Sequence, residues 1–237
     1  MSLKWNLKKL QVKLKNFVHR FSEVEARKFQ YTPKEYLKLY LPSNPVLLDC
    51  GAHDGFDSLE LVKALGGTLH AVEAVPEVYE KLVKNTRGEP RIKCYNLALG
   101  NSNGKINFYV SGGNAGASSS ILAPKDHLAD HPDITFEQRI EADCLTLDTW
   151  AEKNKVNRID FMWLDMQGAE KMMLEASKKI LPTVKVIHCE VSMKETYDSV
   201  LTYPDFKKWM KTIGFRPEIE ILPDGYDMGD VLFVRYA

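Results

Sequence analysis

Apolar side chains recur at alternating spacings of four and three residues through the first 25 residues, and this period is that of one face of an α-helix. The members of this stripe are Leu3, Leu7, Leu10, Leu14, Phe17, Phe21 and Val24. Lysine and arginine occupy the other faces, and no acidic residue appears before Glu23. The pattern therefore predicts a basic amphipathic helix within an N-terminal helical extension over residues 1–44.

Two roles for this basic helix stay open at the level of sequence. In the first, its apolar stripe packs as a cap on its own domain or on a second subunit, so that the helix serves dimerisation. In the second, the helix docks on an anionic membrane surface, with its apolar stripe in the lipid and its basic side chains at the headgroups.

A different pattern begins at Pro45, where short apolar runs alternate with segments of helical period. Strands and helices that alternate at this spacing predict a parallel sheet in a single α/β domain over residues 45–237. The predicted strands are Val46–Cys50, Thr68–Val72, Ile92–Leu97, Ile159–Leu164 and Val184–Val191. The predicted helices are Asp57–Leu65, Pro76–Asn85, Ala169–Ile180 and Tyr203–Ile213.

The alternation is interrupted between Gly100 and Trp150. Here the pattern predicts an inserted pair of strands, Lys105–Val110 and Arg139–Cys144, and the intervening residues Ser111–Ser120 are rich in glycine and serine. This loop is either a flexible hairpin tip or a lid that closes over a ligand.

A closing hairpin ends the predicted fold. Strands Phe215–Ile221 and Val231–Tyr236 are separated by the turn signal Pro223-Asp224-Gly225. The last strand is therefore expected to run antiparallel in a sheet that is otherwise mostly parallel.

Composition excludes several classes of function. The chain holds 32 basic and 32 acidic residues, so its formal net charge is zero and no global field attracts nucleic acid. No apolar run approaches the roughly 18 residues of a membrane span, and residues 1–20 lack the continuous apolar segment of a secretory signal. The four cysteines form no C-x-x-C pair and read as buried thiols. A cytoplasmic location is expected, with peripheral membrane contact as the alternative.

The turn after the first predicted strand carries the first candidate chemistry. Gly51 and Gly55 stand in a G-x-x-x-G spacing, which is neither the G-x-G-x-x-G of dinucleotide-binding enzymes nor a phosphate-binding P-loop. What remains is a compact cofactor that the backbone approaches near the carboxyl ends of the strands.

Two further positions suggest which cofactor. Glu73 stands just past the second predicted strand, 22 positions after Gly51, where a carboxylate accepts both hydroxyls of a ribose. Asn96, Leu97 and Ala98 end the third predicted strand, where an amide and backbone groups would pair with an adenine edge.

These residues together resemble the FkbM family of S-adenosylmethionine-dependent methyltransferases. The motifs that carry the resemblance are D-C-G-A-H-D-G at Asp49–Gly55, E-A at Glu73-Ala74, N-L-A-L-G at Asn96–Gly100, S-S-S-I-L at Ser118–Leu122, T-L-D at Thr146–Asp148, L-D-M-Q-G-A-E at Leu164–Glu170 and C-E-V at Cys189–Val191. The resemblance covers roughly residues 45–236. His53 replaces the usual asparagine, and Gln167 stands where glutamate is frequent.

The resemblance implies a three-layer sandwich built on a Rossmann-like, seven-stranded sheet with an antiparallel last strand. It also implies S-adenosylmethionine as cofactor and an oxygen acceptor, such as a hydroxyl of a sugar, glycan or secondary metabolite. Carried over to this chain, the cofactor-binding positions are Asp49, Gly51, Ala52, His53, Gly55, Glu73, Ala74, Asn96, Ala98, Ser119 and Asp165.

Methyl transfer to an alcohol benefits from a base, because an alcohol is hardly ionised at neutral pH. Asp165, at the end of the fourth predicted core strand, is the first candidate for the catalytic residue nearest the transferred methyl, where it positions either the ammonium group of the cofactor or the acceptor. Glu190 is the second, because a carboxylate within an apolar strand is costly to bury without a partner. Glu170 reads first as a carboxylate in the first turn of a helix, and Thr146-Leu147-Asp148 as the cap of the helix that follows.

No metal is expected, because Asp165 has no convincing second and third ligand in the sequence. His127, His131 and His188 show no ligand spacing and are expected to be structural or exposed. Two alternative functions remain: an NAD(P)-dependent oxidoreductase on a related fold, which the absent G-x-G-x-x-G disfavours, and a catalytically silent homologue that binds cofactor without turnover.

Overall fold

The computed structural model describes residues 32–113, 117–126, 133–222, 225 and 227–236. The predicted N-terminal helix lies outside the described residues, as do His127, His131 and the Pro223-Asp224 part of the last turn. The proposed contacts of that helix with a membrane or a second subunit therefore stay predictions. In the described part of the chain, no helix is both long and apolar enough to cross a membrane.

Within the described residues, seven strands form one large sheet. The strands are β1 Val46–Cys50, β2 Thr68–Glu73, β3 Ile92–Asn96, β7 Phe161–Leu164, β8 Val186–Ser192, β9 Phe215–Ile221 and β10 Met228–Arg235. Their order across the sheet is β3-β2-β1-β7-β8-β10-β9. Neighbouring strands are parallel except at β10, which is antiparallel to both β8 and β9. The predicted mostly parallel sheet with an antiparallel last strand is confirmed.

Helices cover both faces of this sheet and give three layers. The helices are α1 Phe56–Leu65, α2 Pro76–Thr86, α3 Leu147–Lys153, α4 Glu170–Glu175 and α5 Tyr203–Thr212, with short 3₁₀ helices at Lys34–Leu39 and Leu181–Thr183. One apolar core joins the sheet to α1 and the first 3₁₀ helix, and a second joins it to α3, α4 and α5. The central strands are buried on both faces, and this explains why they read as nearly continuous apolar runs.

A second, three-stranded sheet stands beside the first. It consists of β4 Ala98–Gly100, β5 Gly104–Gly112 and β6 Thr135–Thr146, in the order β4-β6-β5. The inserted strand pair was predicted, but the predicted strand Ile92–Leu97 is wrong at its end. The chain leaves the large sheet at Asn96 and pairs again at Ala98, now with β6.

The predicted helix Ala169–Ile180 is also wrong in length, because only Glu170–Glu175 is helical. After this turn the backbone finds other partners. The amides of Lys179 and Ile180 donate to the carboxylate of Asp148, and Ser177 Oγ donates to the carbonyl of Met173 at 2.6 Å. These contacts compete with continuation of the helix.

The tips of β1 and β7 meet at Gly51. A Cβ atom on Gly51 would lie 1.9 Å from the carbonyl oxygen of Asp165, and Gly51 has φ +83°. The amide of Asp165 in turn donates to the carbonyl of Cys50 at 3.0 Å. The glycine that the sequence assigned to cofactor approach therefore also allows two strand ends to touch.

We expect Gly51→Ala to destabilise the protein more than Gly66→Ala. Gly66 ends α1 at φ +71°, and a Cβ added there would have no atom within 4 Å, so its substitution costs only backbone strain of about 1–3 kcal/mol. Gly51→Ala adds a steric cost of about 2 kcal/mol. Urea unfolding measures both, and equal losses of stability would contradict the close approach of Gly51 and Asp165.

Candidate functional site

A cavity of about 240 Å³ opens at the carboxyl ends of β1, β2 and β7, between the two sheets. Its position is the one at which open α/β sheets bind ligands. Its walls include the following residues predicted from sequence: Asp49, Gly51, Ala52, His53, Glu73, Ala74, Ala98, Ser119 and Asp165. Sequence reasoning thus located most of one contiguous surface.

Glu73 stands at the end of β2 and is buried, at 8% exposure. Its Oε2 accepts from the amide of His53 at 3.0 Å and its Oε1 accepts from the amide of Val75 at 2.8 Å. Burial raises the pKa of Glu73, and these two amide hydrogen bonds oppose the rise. Each carboxylate oxygen retains acceptor capacity for a further donor, so Glu73 both shapes the β1 loop and faces the cavity.

Asn96 and Gly55 are not among the residues that line the cavity, and their contacts with a cofactor stay predictions. The Asn96 amide donates to the carbonyls of Glu73 and Ala74 at 2.9 and 3.1 Å, so it holds the turn after β2. Gly55 has φ +85°, and a Cβ there would meet Leu82 and Thr86 of α2 within 2.8 Å. Its lack of a side chain serves helix packing.

Apolar side chains form part of the cavity wall. They are Val72, Leu97, Leu99, Phe108 and Ile121. Phe108 and Ile121 come from β5 and the segment after the serine-rich loop, and sequence reasoning missed both. The signal for Phe108 was the apolar alternation within Lys105–Val110, which indicated a strand without indicating which of its faces meets the cavity.

Ser119 reaches the cavity from the serine-rich loop, of which residues 114–116 lie outside the described ranges. The Ser111 amide donates to Ser119 Oγ at 3.0 Å, and Ser120 exchanges two backbone hydrogen bonds with Tyr109 of β5. The described end of the loop is therefore fixed to β5, beside the cavity.

Asp49 is the most deeply placed carboxyl on the cavity wall, at 1% exposure. Burial raises its pKa to about 7, although Ser58 Oγ donates a hydrogen bond to it; the neighbouring charges of Asp57, Asp165 and Glu73 add to the rise. Among the described residues, no three histidine, cysteine, aspartate or glutamate side chains converge as metal ligands would.

Asp165 follows β7 and lines the cavity, whereas Glu190 of β8 does not. The side-chain amide of Gln167 joins them, because its Nε2 donates to Asp165 Oδ1 and to Glu190 Oε2, each at 2.8 Å. Burial raises the pKa of Asp165, and the bond from Gln167 opposes the rise. The structure therefore places the first base candidate at the cavity and the second behind it.

An aromatic stack beside Asp165 was not predicted. The rings of Trp163 and His188 are parallel, with centroids 3.7 Å apart, and Trp163 lines the cavity. Lys34 Nζ lies 5.5 Å from the Trp163 ring centroid and 2.9 Å from Asp57 Oδ1. His188 is buried, and burial lowers its pKa to about 3, in agreement with a structural role.

Comparison with known proteins shows similarity to a family model, to a curated protein and to solved structures. Residues 49–217 match the model of the methyltransferase FkbM domain. The 2-O-methyltransferase NoeI of Sinorhizobium fredii (strain NBRC 101917 / NGR234) is 29% identical over 174 residues, which are 71% of this chain and 72% of that protein. Fibrillarin of Aeropyrum pernix, solved with natively bound S-adenosyl-L-methionine, superposes with a TM-score of 0.51 at 12% identity, over 89% of this chain and 74% of that one. The last match concerns the fold alone.

We expect the free energy of unfolding of Asp49→Asn, relative to the wild type, to rise with pH. Folded Asp49 keeps its proton up to a pKa of about 7, whereas the unfolded side chain loses it near about pH 3.9. The folded wild type therefore binds more protons between these values, and its stability falls as the pH rises through them.

Asparagine has no proton to lose in this range. The free energy of unfolding of Asp49→Asn minus that of the wild type should therefore grow by on the order of 1–4 kcal/mol from about pH 4 to pH 8. Urea unfolding at several pH values measures it. Exposed Asp143→Asn is the control, with a flat difference expected. A difference for Asp49→Asn that falls with pH would contradict the buried, protonated carboxyl.

Proposed function

The chain belongs to the FkbM methyltransferase family, and from this membership we propose that it methylates a hydroxyl oxygen of a sugar, glycan or secondary metabolite. S-adenosylmethionine is its methyl donor. The observation that carries the choice of oxygen is Asp165, a carboxylate on the wall of the same cavity as Glu73. A hydroxyl bound there has a proton acceptor within the site.

The cavity fits this cofactor in the chemistry of its walls. Glu73 would accept the ribose hydroxyls with the lone pairs that His53 and Val75 leave unused. The apolar residues Leu97 and Leu99 would hold the flat adenine ring. The carboxylate of Asp165 would suit the positively charged amino-acid part and sulfonium, because opposite charges attract strongly in a partly desolvated site.

When bound, the cofactor supplies an electrophilic methyl group. The chain supplies position and a proton acceptor: Asp165 orients the acceptor hydroxyl and takes its proton as the oxygen becomes nucleophilic. Gly51 contributes by keeping the β1 loop and the Asp165 backbone in contact, so that the cofactor side and the acceptor side of the cavity hold a fixed separation.

The mouth of the cavity favours a polyhydroxylated acceptor. Phe56 begins α1, is 68% exposed and lines the cavity together with Asp54 and Asp57, which lie within two residues of it in sequence. An exposed aromatic ring between hydrogen-bond acceptors suits a sugar, which presents apolar C–H faces and polar edges. The similarity to a protein named as a 2-O-methyltransferase supports the same choice.

We expect S-adenosylmethionine and S-adenosylhomocysteine to stabilise the wild type against heat, and NAD to leave it unchanged. A ligand at a free concentration of about 100 times its dissociation constant adds about 2.7 kcal/mol to the free energy of unfolding. Glu73→Ala should lose this stabilisation, because it removes the ribose acceptor. Glu77→Ala, an exposed position four residues later, is the matched control. Stabilisation that persists in Glu73→Ala would remove Glu73 from the cofactor site.

We expect labelled methyl groups to appear in ethers when the enzyme is offered S-adenosylmethionine and a panel of mono- and oligosaccharides. Asp165→Asn should lower kcat by about 10²–10⁴-fold, the typical contribution of a general base, whereas Asp143→Asn should not. Methylation of amines in a parallel panel, or no oxygen methylation by protein that binds the cofactor, would count against the proposal. The second result would favour the catalytically silent alternative.

A further inference from the structure

Gln167 connects two carboxyl groups that the proposed function uses only in part. Its Nε2 donates to Asp165 Oδ1 and Glu190 Oε2 at 2.8 Å each, so the two carboxyl groups share one donor and lie close enough to affect each other's pKa. Asp165 lines the cavity, whereas Glu190 lies behind Gln167. Asp165, Gln167 and Glu190 thus form a hydrogen-bonded cluster near the carboxyl ends of β7 and β8.

The Gln167 side chain also has contacts outside this cluster. Its NH₂ group faces the two carboxyl groups, and its Oε1 lies 3.0 Å from Tyr197 Oη, whose single proton is shared with the carbonyl of Ser118 at 2.8 Å. Ser120 Oγ donates to the Gln167 carbonyl at 2.9 Å. Gln167 also has φ +52°, a conformation that a residue other than glycine keeps only where its surroundings enforce it.

The charges around Asp165 and Glu190 determine how many protons these two carboxyl groups carry. Asp165 faces Asp49, Asp57 and His53, while Glu190 faces Glu170 and Asp230. A direct hydrogen bond between two carboxyl groups requires one proton, because two carboxylates only accept. Two adjacent ionised carboxylates in a site shielded from water would also repel strongly.

The proton belongs to Glu190 for two reasons. Its carboxyl does not line the cavity, it has acidic neighbours, and burial followed by the charge of Asp165 raises its pKa well above the usual value. Asp165 instead borders the cavity, receives the Gln167 donor and lies near His53. Each of these favours the ionised form at Asp165.

We propose that Glu190 is a positioning residue, not a second base: it stays protonated and donates to Asp165, and Gln167 holds both groups so that Asp165 remains the ionised carboxylate at the acceptor. The role of Asp165 rests on the proposed function, but the shared proton is a property of the protein alone. No bond-making step is added. The acceptor proton passes to Asp165 and on to solvent, and Glu190 keeps its own.

Infrared spectroscopy of the protein without cofactor or acceptor tests the shared proton directly. With carbon-13 in all glutamate carboxyl groups, we expect a protonated glutamate band at about pH 9, above the pKa of about 7 of Glu170. The band should vanish in Glu190→Gln and persist in exposed Glu141→Gln. Absence of the band in the wild type, or its persistence in Glu190→Gln, would overturn the proposal while leaving methyl transfer untouched.

The pH profile of kcat tests the positioning role. Gln167→Met removes a donor that favours ionised Asp165, so the pKa of Asp165 rises and the acidic limb of the profile moves to higher pH. Glu190→Leu should move it in the same direction, and Glu190→Gln, which restores a donor, should bring it back towards the wild type. Exposed Gln138→Glu is the control, with an unmoved limb.

Two outcomes would overturn this role: an acidic limb that Gln167→Met leaves in place, or loss of activity in Glu190→Gln equal to that in Glu190→Leu. Binding of S-adenosylhomocysteine, measured by calorimetry, reports folding of each variant independently of turnover. If Glu190→Leu fails to fold, Gln167→Met and the infrared comparison of wild type with Glu190→Gln decide the matter.

Discussion

The contact between Gly51 and the backbone of Asp165 is the constraint on which the site depends. A parallel sheet brings the carboxyl ends of its central strands to one edge, but side chains normally hold the following loops apart. Here no side chain intervenes, since a Cβ on Gly51 would lie 1.9 Å from the Asp165 carbonyl oxygen. The loop after β1, which carries His53, and the loop after β7, which carries Gln167, are therefore built against each other.

This closeness concentrates carboxyl groups, and protonation relieves the repulsion that results. Asp49 and Glu170 have pKa values raised to about 7 chiefly by burial, and burial also raises the pKa of Glu190 well above its usual value. Glu170 is also held by the amides of Met166 and Gly168, so it orders the loop that carries Gln167. A site of this kind favours cationic ligands and stores protons near neutral pH.

Sequence patterns predicted the sheet well because its central strands are buried on both faces and carry few polar residues. Contacts that depend on which groups meet in space were not predicted. Asn96 was selected for an adenine contact, and the structure adds a contact that the sequence did not indicate, because its amide donates to two carbonyls of the preceding turn. The stack of Trp163 on His188 depends on the pairing of β7 with β8, in which these residues are direct partners. The hydrophobic period within one segment does not indicate which residues pair between two strands.

The antiparallel strand β10 has a consequence for how the chain is made. It enters the sheet between β8 and β9, although β9 precedes it in sequence, so β8 has no neighbour on that side until β10 leaves the ribosome. During synthesis the edge of β8, which carries the apolar side chains of Ile187, Cys189 and Val191, presents unpaired backbone groups to other chains. Pairing of β10 with β8 closes this edge.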